Sequence, residues 1–591
     1  MLTKIAPYQL ALLLRTLKPL SLKQLFYLFR QRIQSLAGLR VKSLAPCFRV
    51  HADFSCITGI KNKESRLVDG KRFCFINEDK DISEVLSARW RPEASRLWLY
   101  NVHYFDFLKD EELEAGLQDR LALQLIENWY DSNPQGTVDA WDPYPISLRI
   151  VNWIKYIHAV KGRNGEIPRW MLASLGIQVK VLEVSVEYHL RGNHLFKNAV
   201  ALFFAGMFFD GTDALRWRAK GTDLLITELE AQFLDDGGHV ERTPTYHALC
   251  IEDCLDCLNL AQAMPDRTTA ALCEALNSTV ARGLIFLAAV TLPDGSLAAF
   301  SDTAPGIAAS TEQLFEYAKQ LGVEYPAQRS KELDPIELSD SGYYGYRKGD
   351  EYLLLDCGPM GVTYQPGHAH CDLLSFEWVL DGKKVLVDSG VFNYFVSPER
   401  RFCRSTASHN TVMVDGQEQG EIWSAFRLGR RPGSFKASVS VNDSTCSISG
   451  EHDAYRYLPG GVRHRRRLTR IFPQSLSVRD ELEGAGQHYA VTRFHFAAGY
   501  QLVDESNDLF LCEHGGQRVM RIITSAGLVT RIVASEYFPA FGRRKVNAVL
   551  ELEWRGQLPA SWDCCFEIIN KDSSINDPIM PIADFNKVRG L

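Results

Sequence analysis

The sequence predicts a multidomain α+β protein in which a large helical unit precedes an all-β unit. Its 591 residues are too many for one ordinary hydrophobic core. From residue 97 to about 321, apolar residues recur at three- and four-residue spacing, as they do along one face of a helix. After residue 335, short β-branched and aromatic runs alternate with turn residues. We therefore place the boundary at Asp334-Pro335, with domains at 1–96, 97–335 and 336–591.

The helical unit has the pattern of an array of helical hairpins, because polar or Gly/Pro-containing breaks separate its periodic runs. No alternating strands interrupt it, so a parallel sheet is not expected. The predicted helices are Leu121–Tyr130, Ile146–Val160, Met171–His189, Leu195–Phe209, Thr222–Phe233 and Ile251–Ala263.

The second unit is predicted to consist of layered antiparallel sheets. Asp381-Gly382 lies between two β-prone runs and indicates a tight hairpin there. The predicted strands are Gly342–Lys348, Tyr352–Asp356, Ser375–Leu380, Lys383–Val387, Thr411–Val414, Phe435–Val441, Arg465–Phe472, Leu476–Leu482 and Val519–Thr524.

The first 36 residues are apolar but interrupted by basic side chains, which favours a packed amphipathic helix pair; contact with a membrane surface is the alternative. No run approaches 18 uninterrupted apolar residues, so no membrane span is predicted. No small-residue cleavage site of a signal peptide stands out. The 14 cysteines follow neither a disulfide framework nor zinc-knuckle spacing, and buried free thiols favour a reducing compartment. We expect a cytoplasmic location, with the periplasm as the alternative.

The net charge of −6 excludes the bulk basicity of a nucleic-acid-binding protein. Aromatic residues make up 11% of the chain, which is compatible with surfaces that stack on sugars and equally with large cores.

Four polar clusters stand within otherwise apolar surroundings, where unpartnered polar groups are costly to bury. Each has an ordinary structural explanation, such as a helix cap for Asn193 or a core-edge role for Tyr246. Together, however, they suggest a functional site. The clusters are Arg191-Gly192-Asn193-His194, Gly237 to His247, Gly367-His368-Ala369-His370 and Ser408-His409-Asn410-Thr411.

In this order, the clusters resemble the motifs of the heparinase II/III polysaccharide lyases. The resemblance covers roughly residues 97–480 and is strongest at 364–416. It implies an N-terminal α/α toroid followed by a C-terminal antiparallel β-sandwich, and cleavage of an acidic, uronic-acid-containing polysaccharide by β-elimination. In that reaction a partner neutralises the uronate carboxylate, a base removes the C5 proton and an acid protonates the departing O4.

The resemblance also implies roles for individual residues. Asn193 would be the carboxylate partner, Tyr246 the base, the acid or both, and His368 a second proton-transfer group. A phenol with an ordinary pKa near ~10 needs nearby positive charge to act as a base at neutral pH. The residues expected to bind substrate are His194, Arg149, Arg191 and Glu241.

Some members of this family hold a metal, usually zinc, and the matching residues here are His370, Asp388 and His409. Imidazole and carboxylate groups suit zinc. An ideal hairpin at Asp381-Gly382 would place Asp388 opposite Ser375, too far along the strand from His370 at roughly 3.3 Å per residue. A shared ion therefore requires a bulge in the strand or a loop that folds back.

Two other functions remain open from the sequence. A uronyl C5-epimerase of exopolysaccharide biosynthesis would use the same proton abstraction, and a non-catalytic polysaccharide-binding protein would need no convergent site. A glycoside hydrolase fits less well, since no pair of carboxylates stands out as acid and base.

Overall fold

The computed structural model describes residues 7–37, 48–57, 59–111, 117–163, 165–324, 332–505, 508–513 and 515–569. Within these ranges, helices dominate the first part of the chain and antiparallel sheets the second. The predicted fold class is confirmed: an α/α toroid is followed by a β-sandwich.

The segment before the toroid is irregular, with short elements that pack against it. Phe73 and Phe75 of its small antiparallel sheet are fully buried and contact Trp90 and Trp98. Its elements are α1 (Pro7–Leu17), α2 (Leu22–Ala37), β1 (Leu67–Val68), β2 (Arg72–Phe75), β3 (Glu78–Asp81) and α3 (Ile82–Ser87).

The toroid is built from two layers of helices. The helices α4, α6, α8, α10 and α12 contact one another in succession and form the inner layer, while α7, α9 and α11 pack outside them. Because α8 lies between neighbours on several sides, it is buried along almost its whole length. The helices are α4 (Arg96–Tyr104), α5 (Leu117–Ser132), α6 (Pro143–Gly162), α7 (Arg169–Ser185), α8 (Gly192–Phe208), α9 (Thr212–Gln232), α10 (Pro244–Ala263), α11 (Ala270–Ala289) and α12 (Thr311–Gln320).

Each helix predicted in this region lies on an observed helix, but some ends differ. The prediction to His189 overran α7, which ends at Ser185 before the extended residue Val186. Conversely, α10 begins at Pro244, earlier than predicted, because a proline at the first position of a helix needs no hydrogen-bond acceptor. Tyr246 therefore stands on the first turn of α10.

Among the described residues, α11 is the one helix whose length and hydropathy would allow it to cross a membrane. It packs against α9, α10 and α12 within the toroid, so we describe it as a core helix.

The second unit contains all nine predicted strands and further ones, and every pairing between the strands named below is antiparallel. Asp381 and Gly382 both have positive φ, so the predicted tight hairpin is confirmed. The strands and one short helix are β4 (Asp334–Leu338), β5 (Tyr343–Lys348), β6 (Glu351–Asp356), β7 (Phe376–Leu380), β8 (Lys383–Leu386), α13 (Pro398–Cys403), β9 (Val412–Val414), β10 (Ile422–Trp423), β11 (Arg427–Leu428), β12 (Phe435–Val441), β13 (Thr445–His452), β14 (Arg463–Ile471), β15 (Ser475–Glu483), β16 (Gln487–His495), β17 (Tyr500–Glu505), β18 (Asp508–Glu513), β19 (Arg518–Thr524), β20 (Val529–Ala540), β21 (Arg543–Gln557) and β22 (Ala560–Ile568).

Three sheets form the sandwich. Their strand orders are β4-β5-β6-β7-β8, β12-β13-β14-β15-β22-β19-β18-β17 and β20-β21-β16-β9. One face of the five-stranded sheet packs on the eight-stranded sheet, where Trp378 contacts Phe566. The four-stranded sheet adds Phe494 to the same core and packs Val414 near Trp562.

The other face of the five-stranded sheet packs against the toroid. Phe286 of α11 and Val290, which follows its last residue, share a buried apolar cluster with Tyr343 and Tyr352. Nearby, the backbone N–H of Ser341 donates to the Asp236 carboxylate at 2.6 Å. This interface holds the toroid loops beside the loops of the sandwich, and a cleft lies between them.

Candidate active site

A cleft of about 1480 Å³ lies between the two units and is lined by both. Helix starts of the toroid form one side, and the β6–β7 loop and the segments after β8 form the other. The sequence-predicted residues that line it are Arg191, Asn193, His194, Glu241, Tyr246, His368 and Asp388.

Asn193 is fixed at the start of α8 by a carboxylate. Its backbone N–H donates to Glu241 Oε1 at 3.2 Å, and its Nδ2 lies 3.1 and 2.9 Å from the two carboxylate oxygens. Gly192 has a positive φ of 52°, and a side chain there would overlap with the Glu241 carboxylate. The glycine is therefore required for the close approach, and the carboxylate meets the positive end of the helix dipole.

Glu241 is buried and ionised. Burial would raise the pKa of its carboxyl, but His368, His239 and the Asn193 hydrogen bonds outweigh this effect and lower it. A carboxylate cannot itself bind a substrate carboxylate. The predicted direct role of Glu241 in substrate binding is therefore less favourable than positioning of Asn193.

His194 lies beside Asn193 with a partly exposed ring. Its Nδ1 is 3.1 Å from Glu187 Oε1, and its ring packs on Tyr144 with 4.4 Å between the ring centroids. Enclosure would lower the pKa of His194, but the Glu187 carboxylate outweighs this effect and raises it. Protonation of His194 is thus favoured beside the cleft.

Tyr246 and His368 come from different units and stack in the cleft, with their ring centroids 4.0 Å apart. Burial, together with the Asp302 and Glu241 carboxylates, raises the pKa of Tyr246 well above its usual value. The phenol is therefore protonated at neutral pH. To act as a base, the phenol would need nearby positive charge to lower its pKa. The charges with the largest effect on it are instead the Asp302 and Glu241 carboxylates, which raise the pKa.

A buried carboxylate, Asp302, organises the β-sandwich side of the cleft. Its Oδ2 is 2.9 Å from His368 Nδ1, its Oδ1 is 2.9 Å from His370 Nε2, and the Arg400 guanidinium donates to both oxygens. Burial opposes ionisation, but Arg400 and the two histidines hold the pKa of Asp302 well below its usual range. Because Nδ1–H of His368 points to this carboxylate, the neutral ring keeps its lone pair on Nε2.

Aromatic side chains enclose His368 further. Phe426 lies edge-on to its ring, with 6.0 Å between the centroids, and Tyr394 lies at 6.3 Å. The Tyr394 hydroxyl donates to the backbone carbonyl of Asp302 at 3.0 Å. This packing restricts His368 to one orientation toward the cleft.

The two predicted arginines have different positions. Arg191 lines the cleft, with its guanidinium 4.4 Å from the centre of the Tyr364 ring. Arg149 is fully buried and donates to Gln178 and to the backbone carbonyl of His103. The structure gives Arg149 no route to a polysaccharide, so it is a packing residue; its place on the helical periodicity of α6 agrees with that role.

The predicted metal ligands are close together but do not form a complete site. His409 Nδ1 is 2.6 Å from Asp388 Oδ2, and the rings of His370 and His409 have centroids 5.5 Å apart. In the described part of the chain, no three His, Cys, Asp or Glu side chains are arranged to hold an ion. The β7–β8 pairing does contain a register shift at Trp378/Val379, and His370 lies in the loop before β7, as a shared site would require.

Several cleft residues were not found by sequence reasoning. Asp302 follows a short apolar run without a recognisable motif, and Glu187 is one of many surface-like acids in the sequence. Tyr144, Tyr394 and Phe426 could not be separated from core aromatics. Only the contacts of the folded chain reveal them: Glu187 and Tyr144 lie against His194, and Asp302, Tyr394 and Phe426 lie against His368.

The charge of the cleft is balanced. Its lining holds about as many carboxylates as lysines and arginines. Three cleft lysines are each paired with a carboxylate of α10: Lys109 with Glu252 at 2.9 Å, Lys155 with Asp256 at 2.5 Å and Lys197 with Asp253 at 2.8 Å.

Comparison with known proteins identifies the family. The family model "Heparinase II/III N-terminus" matches residues 99–329, and "Heparinase II/III-like, C-terminal" matches residues 331–565. The chain belongs to the heparinase II/III-like family. Asn193, Tyr246 and His368 lie within the matched ranges.

Three relatives illustrate the range of heparinase II/III-like proteins. A heparin-sulfate lyase of Bacteroides stercoris is 25% identical over 381 residues, covering 60% of this chain and 54% of the relative. A heparin-sulfate lyase of Pedobacter heparinus is 24% identical over 387 residues, covering 59% and 56%. The FtsZ-localized protein C of Caulobacter vibrioides is 26% identical over 410 residues, covering 66% and 65%. The chain thus spans little more than half the length of the two lyases.

Solved structures of the family share the fold. A heparinase III crystal structure superposes with a TM-score of 0.65 at 16% identity, covering 94% of this chain and 93% of that chain. A heparan sulfate lyase of Pedobacter heparinus gives a TM-score of 0.55 at 17% identity, covering 82% and 79%.

Proposed function

We propose that this heparinase II/III-like protein is a polysaccharide lyase that cleaves a uronic-acid-containing polysaccharide by β-elimination. The observation that carries the proposal is the convergence of Asn193, Tyr246 and His368 on one cleft, although they come from two units. Packing alone does not require these side chains to meet. The names of two relatives, both heparin-sulfate lyases, support the same reaction class.

The substrate carboxylate is bound beside the start of α8. Asn193 Nδ2 is nearly equidistant from the two oxygens of Glu241, so one N–H directed between them accounts for both contacts. The second N–H is then available to the uronate carboxylate. His194, whose protonation is favoured by Glu187, would add a positive charge next to it. Such donors stabilise the charge that develops when the C5 proton is removed.

His368 is the general base in this mechanism. Asp302 accepts from Nδ1–H and orients the ring, and Nε2 takes the proton from C5. As the C5–H electrons form the C4–C5 double bond, the bond from C4 to O4 breaks.

Tyr246 is the general acid. Since burial and two carboxylates keep its hydroxyl protonated, it can deliver a proton to the departing O4. Water then returns a proton to Tyr246 and removes the one held by His368, which restores the resting site.

The charge balance of the cleft favours a polymer with low charge density. At least seven of the ten described lysines and arginines that line the cleft lie within 4.0 Å of a carboxylate, which leaves few cations for sulfate groups. We therefore propose an unsulfated polysaccharide that carries its charge on uronates.

Zinc belongs to the proposal as a cofactor held by His370, Asp388 and His409. In support, His370 Nδ1 is buried without a hydrogen-bond partner among the described residues, and its Nε2 bonds to Asp302, the arrangement of a metal-bound histidine with a supporting carboxylate. A bound ion would add a fixed positive charge that stabilises this loop cluster, and no step above depends on it.

The test is incubation of the purified protein with a panel of unsulfated polyuronates and with heparin, while the ultraviolet absorbance of unsaturated uronate is followed. We expect product from an unsulfated polymer and much slower release from heparin. Exchange of C5 hydrogen with deuterated water without any double bond would instead indicate the epimerase. Binding without either reaction would indicate a non-catalytic polysaccharide-binding protein.

A further inference from the structure

The helices α1 and α2 attach to the molecule largely through polar and tyrosine side chains, with Leu12 buried beside them. Arg15 of α1 donates to the Glu421 carboxylate at 2.8 Å, and Trp423 Nε1 donates to the Thr16 hydroxyl at 3.1 Å. On α2, Gln24 Nε2 donates to the His189 carbonyl, and Tyr27 packs against Tyr188 with 4.6 Å between the ring centroids. This pair, here called the α1–α2 hairpin, therefore contacts both the sandwich and the toroid.

The opposite side of the α1–α2 hairpin is apolar and faces solvent. Leu22, Leu25, Phe26 and Phe29 recur at intervals of three and four residues, so they form one stripe along α2. Leu22 is 85% exposed, Phe26 61% and Phe29 67%. On α1, the same spacing and exposure hold for Leu10, Leu13 and Leu14.

This arrangement is the reverse of an ordinary surface helix, which buries its apolar stripe and exposes its polar side. Contiguous exposed apolar surface of this kind marks a binding surface. We therefore expect a partner to cover the apolar stripe, and the charge of the segment indicates the chemistry of that partner.

Residues 1–52 contain nine Lys and Arg residues and no Asp or Glu, although the whole chain has a net charge of −6. Lys18 and Lys23 are exposed beside the apolar stripe. An apolar helix face flanked by cations and free of carboxylates fits the boundary between the headgroups and acyl chains of an anionic bilayer. At 11 and 16 residues, α1 and α2 are too short to cross one.

A second copy of the chain fits this surface poorly. A symmetric dimer would bring the same cationic segment of both copies together, where like charges repel. An anionic lipid surface instead satisfies both the apolar stripe and the cations.

We propose that the α1–α2 hairpin is an in-plane anchor that binds the surface of an anionic phospholipid membrane. Gln31 of α2 lines the cleft, so the bound protein would hold its cleft next to the bilayer. This inference does not depend on the chemistry proposed for the cleft.

The experiment is flotation of the full chain with vesicles of phosphatidylcholine, with or without about one third phosphatidylglycerol. We expect binding to the anionic vesicles and weaker binding in high salt. A Leu22→Ser/Phe26→Ser/Phe29→Ser variant should lose at least about a hundredfold in vesicle partitioning, since burying each such side chain is worth roughly tenfold or more.

The matched control is Leu215→Ser/Val529→Ser/Val546→Ser, which removes three exposed apolar side chains elsewhere on the surface. It should bind vesicles like the unmodified chain, and thermal melts of both variants establish that they fold. Absence of binding to either vesicle, or equal binding by the hairpin variant, overturns the proposal. Loss of a dimer in the hairpin variant without any vesicle binding also overturns it, in favour of self-association.

Discussion

The Tyr246 side chain shows how a single residue's environment decides its role. The Tyr246 ring lies against His368, yet the charges that act most strongly on its hydroxyl are negative, so the group holds its proton. A phenol placed in this way is a better proton donor than acceptor. The Asp302 carboxylate accounts for the different roles of the two residues. It orients the His368 ring through a hydrogen bond, and it disfavours ionisation of the Tyr246 hydroxyl.

We predict that Tyr246→Phe lowers kcat by about 10²–10⁴-fold on the true substrate, because it removes only the proton donor. The melting temperature should change little. Tyr130→Phe is the matched control, since Tyr130 is on the surface of α5 and should keep full activity. Unchanged turnover by Tyr246→Phe would assign the acid to another group.

We predict that Asp302→Asn lowers both activity and stability. Arg400 would keep a buried charge without its carboxylate, which costs about 3–5 kcal/mol in the free energy of unfolding. An amide has one acceptor oxygen and no charge, so His368 would lose its anionic partner and the pH–rate profile should also shift. Asp294→Asn, an exposed acid in the same segment, is the control for urea unfolding and for the profile. A variant that is less stable but keeps the unmodified profile would make Asp302 purely structural.

At this scale the sequence predicts the residues that belong to motifs and fails for those that do not. Asn193, Tyr246 and His368 all line the cleft. Asp302 was missed because a lone aspartate has no local signature, and its partners lie 66 to 98 positions away. Arg149 was predicted to bind substrate, but it is buried. Nothing in the sequence distinguishes a buried arginine near the motifs from an exposed one.

The start of α8 is an element whose geometry depends on a glycine. Gly192→Ala should destabilise the protein by about 2–4 kcal/mol, because it adds backbone strain and a clash with Glu241. Asn193 would be displaced with it, so activity should fall as well. The control is Gly136→Ala, which also has positive φ but no neighbour near the added methyl group, and should cost only about 1–2 kcal/mol. Equal losses in chemical unfolding would mean that the Glu241 contact is unimportant.

Within α10, His247 makes the stability of the fold depend on pH. Burial lowers the pKa of His247 to about 3, from an unfolded value near ~6.5. The folded state therefore resists protonation that the unfolded chain accepts, and stability falls as the pH drops below the unfolded pKa. Between about pH 7.5 and pH 5.5, the unmodified chain should lose about 1.4 kcal/mol more than His247→Gln. Parallel stability curves for the two proteins would contradict this assignment.

Elements with strong local signals are predicted well. The Asp381-Gly382 turn specifies the β7–β8 hairpin, because both residues tolerate positive φ. The register shift within that hairpin, between Trp378 and Val379, has no signal in the sequence. Helix ends such as that of α7 depend on tertiary contacts: the Asn198 side chain accepts from the Glu187 backbone just beyond it.

At the scale of the whole molecule, the order of the two units can be predicted from the change in the spacing of apolar residues near residue 335. The order of the strands within the sheets cannot. Strands β15 and β22 are neighbours in the sheet, although 76 residues separate Glu483 from Ala560 in sequence. Pairings of this kind depend on the full set of strands and leave no local pattern.

If zinc is bound by His370, Asp388 and His409, its removal should affect the stability of the whole sandwich. We predict that protein purified without added metal contains about one zinc per chain, and that a chelator lowers the melting temperature by several degrees. His409→Ala should abolish both the metal content and the chelator effect. Full stability and no metal in the unmodified protein would leave these residues as a hydrogen-bonded cluster.

The central position of β22 has a consequence for synthesis. Among the described strands β22 is the last to be made, yet it joins β15 to β19 in the middle of the eight-stranded sheet. A ribosome adding about 5–20 residues per second needs roughly 4–16 s to pass from β15 to β22. During that interval the nascent chain presents open edges on both pieces of the sheet, which are templates for pairing with other chains. We therefore expect the risk of aggregation during synthesis to be greatest before β22 joins the sheet.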